Sequence, residues 1–86
     1  MTRYYFHAAN GSQIRDEDGE DLSGLDAAKD VAAAVMSELL AIRHAKVWDD
    51  GALSVTVRDE AGRMVACLTT VATGDPVALS ALDAEA

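Results

Sequence analysis

The side chains with the reactivity to do chemistry in this chain are His7, His44, Cys67 and the carboxylates of Asp16-Glu17-Asp18-Gly19-Glu20-Asp21. A zinc ion takes three or four ligands. The two histidines and the cysteine have none of the short spacings that hold ligands together, so only a two-fold interface would assemble such a site. A nucleophilic thiol needs a histidine or a helix N-terminus beside it to lower its pKa. Cys67 stands among the apolar residues of a strand, which predicts a small buried thiol instead. An EF-hand calcium loop requires glycine at its sixth position and glutamate at its twelfth; counted from Asp16, glycine comes fourth and the twelfth residue is Ala27. General acid catalysis needs a shielded pair of carboxylates with separated pKa values, whereas five carboxylates around one glycine are expected to form a solvated loop. There is no phosphate-cradling glycine loop, triad or cofactor fingerprint. The sequence therefore predicts no catalytic, cofactor-binding or metal-ligating residues and a protein that is not an enzyme.

What remains is a binding surface. Arg3-Tyr4-Tyr5-Phe6-His7 holds three of the four aromatic residues, Trp48 being the fourth, in a chain that is only 5% aromatic. In a strand, Tyr4, Phe6 and Ala8 would face the core and Arg3, Tyr5 and His7 would stand in an outward row. A donor, an amphipathic ring and a titratable ring suit an interface, so Arg3, Tyr5 and His7 are the candidate interaction residues. The plainer alternative is a partly exposed row that flanks the core. Stacked on a second subunit, His7 would make assembly sensitive to pH near about 6 to 7.

The elements that must position this row read as two β-hairpins separated by one long helix. Asn10-Gly11 is suited to a tight turn, with Ser12 to Arg15 as a short return strand around Ile14. After the acidic loop, Ser23 and Asp26 have the spacing of a capping box. Leu25, Ala28, Ala32, Val35, Leu39 and Ile42 then form a helical stripe that Val31, Met36 and Leu40 widen. The stripe spans fewer than three heptads and several of its positions are alanine, which favours a helix lying on a sheet over a coiled coil. Lys46 to Ala52 reads as a linker whose Trp48 covers the helix end or sheet edge. Leu53, Val55 and Val57 alternate with Ser54, Thr56 and Arg58, Asp59-Glu60-Ala61-Gly62 turns, and Arg63 to Val71 closes the sheet. On that last strand Met64, Ala66 and Leu68 would point one way and Val65, Cys67 and Thr69 the other. A strand apolar on both faces is usually covered on both, by the tail or by a second subunit. Asp75-Pro76 opens a short helix over 76–83, with 84–86 frayed.

The whole is an α+β fold, β-β-α-β-β: antiparallel hairpins forming a sheet, one long helix on one face and a short C-terminal helix. Its 86 residues make one domain, 1–86, with an ordered core over about 2–71 and a tail over 72–86. A chain this short buries only about 60 to 65% of its unfolded surface. Its single cysteine excludes an intrachain disulfide, so a homodimer is the expected supplement. The lone thiol and the lack of an export signal point to the cytoplasm, and no apolar run approaches the roughly 20 residues of a membrane span. The net charge is −8, from 15 acidic against 7 basic residues. With no Lys or Arg cluster to displace counterions, nucleic acid is not an expected partner. The acidity would suit a basic protein partner, but solubility is the commoner reason for such a charge.

Several segments together resemble a known pattern. They are Arg3 to His7, Gly11, Asp16 to Gly19, the Leu22-to-Ala28 helix entry, and the Val55-to-Arg63 hairpin. This combination resembles a family of short bacterial proteins known only as a domain of unknown function, over most of the chain to about Leu68. The resemblance implies a free-standing ββαββ domain and transfers no activity. The expected function is a non-enzymatic interaction or regulatory domain acting as a homodimer. The alternative is a small-ligand or metal-binding module that uses Tyr5, His7 and the Asp16 to Asp21 loop.

Overall fold

The computed structural model describes residues 1–9, 13–42 and 46–74. Its elements are β1 (Thr2–Ala9), β2 (Gln13–Ile14), β3 (Glu20–Leu22), α1 (Leu25–Ile42), α2 (Lys46–Asp50), β4 (Ala52–Arg58) and β5 (Met64–Val71). The α+β class and the antiparallel sheet with one long helix are as the sequence predicts. Two elements are additional: β3, within the stretch expected to be loop, and α2, within the expected linker. The Asn10-Gly11 turn and the 76–83 helix lie outside the described residues.

The sheet has the order β2-β1-β4-β5, and β3 also pairs with β1. β1 is therefore central. Its Tyr5 to Ala9 stretch pairs with Arg58 to Ser54 of β4. Opposite the return segment, Ala8 and Ala9 pair with β2, while Thr2 to Tyr4 pair with β3. The second hairpin turns through Asp59 to Gly62. The Asp59 carboxylate accepts from the N–H groups of Ala61 and Arg63, each at 3.0 Å.

α1 covers one face. Alternation puts Leu53, Val55 and Val57 under it, each 2% exposed or less, and Tyr4 and Ala8 of β1 join them. Burying side chains of this size contributes roughly 1.5–3 kcal/mol each. The helix's buried line is Ala28, Ala32 and Met36, one i, i+4 row whose small first members let the backbone approach the sheet. The sequence-derived stripe is thus rotated: Met36 moves to its centre, while Leu25 is partly exposed and Ile42 is 76% exposed. The first helical hydrogen bond runs from the Ala28 N–H to the Gly24 carbonyl. Gly24 is therefore the cap, which puts the Ser23–Asp26 capping box out of register by one residue.

α2 reverses a second expectation. Val47 is the residue that packs into the core, and its neighbour Trp48 is 58% exposed. Gly51 ends the short helix with φ of 80°, a conformation favoured by glycine, and its N–H donates to the Val47 carbonyl. β5 departs from plain alternation as well. Arg58 pairs with Met64 but Val57 pairs with Ala66, so Val65 is an extra residue at a bulge. The bulge turns Met64 away from the side shared by Ala66 and Leu68. Val65 packs against the core instead. No helix among the described residues is long and apolar enough to cross a membrane.

Candidate functional site

The face of the sheet opposite α1 carries Arg3, Tyr5 and His7 on β1, Thr56 and Arg58 on β4, and Cys67 and Thr69 on β5. The registers set Tyr5, Arg58 and Met64 in one cross-strand row and His7, Thr56 and Cys67 in the next. The three candidate interaction residues do share this face, all half-buried. Each is also engaged with the return segment.

That engagement centres on Asp16, in the gap between β2 and β3. Its carboxylate accepts from the backbone N–H groups of Phe6 at 3.1 Å, Gly19 at 3.1 Å and Asp18 at 3.2 Å. Its own N–H donates to Nδ1 of His7 at 3.0 Å. Partial burial works to raise the Asp16 pKa, but the three N–H groups outweigh it and hold the carboxyl below its ordinary value. Arg3 fastens the same segment further on, donating to the Asp18 carbonyl and pairing with Asp21 at 3.0 Å. Gly19 closes it with φ of 71°. A Cβ there would come within 2.9 Å of the Tyr4 carbonyl oxygen and of Tyr5 Cε1. The acidic run is thus a folded return segment: Asp16 is turned inward, Glu17 and Asp18 are exposed, and Glu20 and Asp21 belong to β3.

Two adjoining hollows lie beside His7. One, of about 220 Å³, sits over β1 and β2 and is lined by His7, Gln13, Arg15, Thr56 and Arg58 among others. The other, of about 560 Å³, is bounded by Tyr5 and His7, by Asp16 and Glu17 of the return segment, and by Asp59 and Glu60 of the second turn, and it shares Arg15 and Arg58 with the first. Asp59 is held below its ordinary pKa by the Arg63 backbone N–H first; burial opposes it as the next-largest effect, and the Ala61 N–H and the Arg63 guanidinium tip the balance downward. Glu60 accepts the Arg3 N–H at 2.8 Å.

Cys67 is exposed rather than buried. It lies on the open face because the strand's inner positions go to Ala66 and Leu68, opposite Val57 and Val55. Thr56 stands between it and His7, so the thiol and the imidazole are two strand spacings apart, about 9–10 Å. Such a separation is too great for proton transfer between them. Among the described residues no three His, Cys, Asp or Glu side chains converge on a common point; His44 lies outside them. Sequence reasoning passed over Arg15 and Arg58. Arg58 was legible as an outward residue of its strand, but the β1–β4 register that sets it beside Tyr5 and His7 was not.

A family model described as a domain of unknown function, DUF6894, matches residues 3–72, from β1 to the residue after β5. No curated protein and no solved structure matches the chain.

Proposed function

The chain belongs to the DUF6894 family, and from that premise we propose that it is a small non-enzymatic protein-interaction domain that works as a homodimer, two copies joining along β5. The observation that carries the reading is the character of that edge. β5 ends the sheet order, and its eight residues, MVACLTTV, contain no charge, proline or glycine. Natural edge strands are normally protected by such residues, since their unpaired N–H and C=O groups invite another strand. Met64 and Val71 are 56% and 70% exposed along it. A hollow of about 250 Å³ between α1 and β5, bordered by Ala32, Ala33 and Leu68, would be covered by the same contact.

The faces restrict how two copies pair. Opposed residues of an antiparallel pair lie on the same side of the sheet. A two-fold axis therefore passes where one residue faces its own copy, and Cys67 and Leu68 are the central choices. Both put the two α1 helices on one side of a continuous sheet and leave Tyr5 and His7 open on the other. The acidic outer surface, with Asp26, Asp30 and Glu38 exposed on α1, supports a basic protein as the further partner. A single exposed thiol left unpaired suits a reducing cytoplasm.

Light scattering coupled to size-exclusion chromatography tests this over a range of concentrations. A dimeric mass for the wild type and a monomeric one for Cys67→Lys, which places a charge mid-edge, are expected. A wild-type monomer at every concentration overturns the reading.

A further inference from the structure

We propose that the smaller hollow beside His7 binds a small organic anion through a carboxylate or phosphate group. In a chain of net charge −8, the described lining of this hollow contains no carboxylate, yet it includes Arg15, Arg58, His7, Gln13 and Thr56. The orientation of His7 follows from its neighbour: Nδ1 accepts the Asp16 N–H, so the ring proton sits on Nε2 and that N–H remains to donate. Among the described residues Arg58 is held by one side-chain bond, to the Gly62 carbonyl at 2.9 Å, and keeps its other donors. Arg15 is exposed and has no hydrogen bond or ion pair among the described residues.

The carboxylates next door are committed elsewhere. Asp16 is occupied by three backbone N–H groups, Asp59 by two and by Arg63, and Glu60 by the Arg3 N–H. Among the described carboxylates that line the larger hollow, Glu17 alone has no hydrogen bond or ion pair. Guanidinium groups recognise carboxylate and phosphate oxygens through paired donors, and an amide and an imidazole N–H add to the donor set for an oxyanion, beside the Thr56 hydroxyl that also meets Cys67 Sγ at 3.7 Å. The volume is below the usual range for drug-sized ligands, which selects a compact anion over a nucleotide. The site lies at the β1–β2 side of the sheet, away from the β5 edge, so its occupation and dimerisation are separable.

The test is a two-dimensional NMR titration of the full chain with sodium succinate and, separately, with sodium phosphate, each against sodium chloride at matched ionic strength. Saturable shifts confined to His7, Gln13, Arg15, Thr56 and Arg58 are expected with at least one of the two. Succinate alone identifies a carboxylate ligand, phosphate alone a phosphate ligand. Arg15→Gln, which removes no hydrogen bond or ion pair among the described residues, is expected to weaken binding by about tenfold, and Arg58→Gln likewise. Arg63→Gln, outside the hollow, is expected to leave it unchanged. Shifts that fail to saturate with both anions, that chloride reproduces, or that Arg15→Gln leaves intact would overturn the proposal.

Discussion

The backbone N–H of Asp16 donates to Nδ1 of His7 at 3.0 Å, while the Asp16 carboxylate reaches the Phe6 N–H at 3.1 Å. One residue is thereby fastened to both ends of a Phe6-His7 step on β1. The two contacts stand in for the ladder bonds that lapse between β2 and β3, so a side chain satisfies a backbone donor that a strand would otherwise satisfy. Replacing Asp16 by alanine removes the acceptor for three N–H groups and is expected to cost about 1–3 kcal/mol in urea unfolding near neutral pH. Asp16→Asn keeps one acceptor oxygen and should cost less. The folded-state pKa is depressed, so the charge-dependent contribution is fully present above the ordinary carboxylate range and is lost as pH falls through the folded value. The gap between wild type and Asp16→Asn should therefore be wide at about pH 7 and narrow at about pH 3. A gap that did not change with pH would show that shape, not charge, is what Asp16 supplies.

Gly19 and Gly62 separate two reasons for a glycine. Both have positive φ, 71° and 81°, but a Cβ on Gly62 would meet nothing within 4 Å, whereas one on Gly19 would press on the Tyr4 carbonyl and the Tyr5 ring. Gly62→Ala is expected to cost about 1–2 kcal/mol, the conformational penalty alone. Gly19→Ala should cost about 2–4 kcal/mol, because backbone atoms of β1 must also move. Thermal unfolding of the two variants side by side reads this out, together with broadened amide signals from β3 in Gly19→Ala.

The helix offers a third comparison. Ala32 is 3% exposed and lies toward the sheet, while Ile42 is 76% exposed at the end of α1. Ala32→Leu should overpack the helix–sheet contact by about 1–3 kcal/mol, and Ile42→Ala should change stability by no more than about 0.5 kcal/mol. The sequence-derived stripe includes both residues, and side-chain hydrophobicity alone would rank Ile42 as the larger contributor. Chemical denaturation of both variants decides between the two rankings.

That contrast shows what local sequence carries here. The alternation of Tyr4, Phe6 and Ala8 against Arg3, Tyr5 and His7 was legible because a two-residue period needs no partner to be seen. The strand Glu20–Leu22 was not: two of its three residues are acidic, and it forms because Asp16 and Arg3 hold it against β1, a non-local cause. Cys67 and Met64 were assigned wrongly for related reasons. Which side of β5 is inner depends on the β4 register, and a bulge at Val65 cannot be read from alternating apolar residues. Val47 and Trp48 show that burial follows the geometry of a short helix and not the size of the side chain. Within the candidate site, Tyr5 and His7 were visible as outward residues. Arg15 and Arg58 come to His7 only through strand pairing.

Cys67 supplies the sharpest check on how two copies meet. If β5 pairs with β5 about an axis at Cys67, the two thiols stand directly opposite, with Cβ atoms about 4.5–5.5 Å apart. If the axis is at Leu68, they lie on the diagonal at about 7–8 Å. A short bis-maleimide spans both distances, so it should convert the wild type to a covalent dimer at protein concentrations where light scattering already shows two copies. Cys67→Ser should not cross-link, and it should stay dimeric because a hydroxymethyl group is tolerated on an exposed strand face. Mild oxidation then separates the registers, since a disulfide requires Cα atoms within about 7 Å and so forms only in the first. A dimer that resists the bis-maleimide would place the contact away from β5, and attention would move to the open face around Tyr5 and His7.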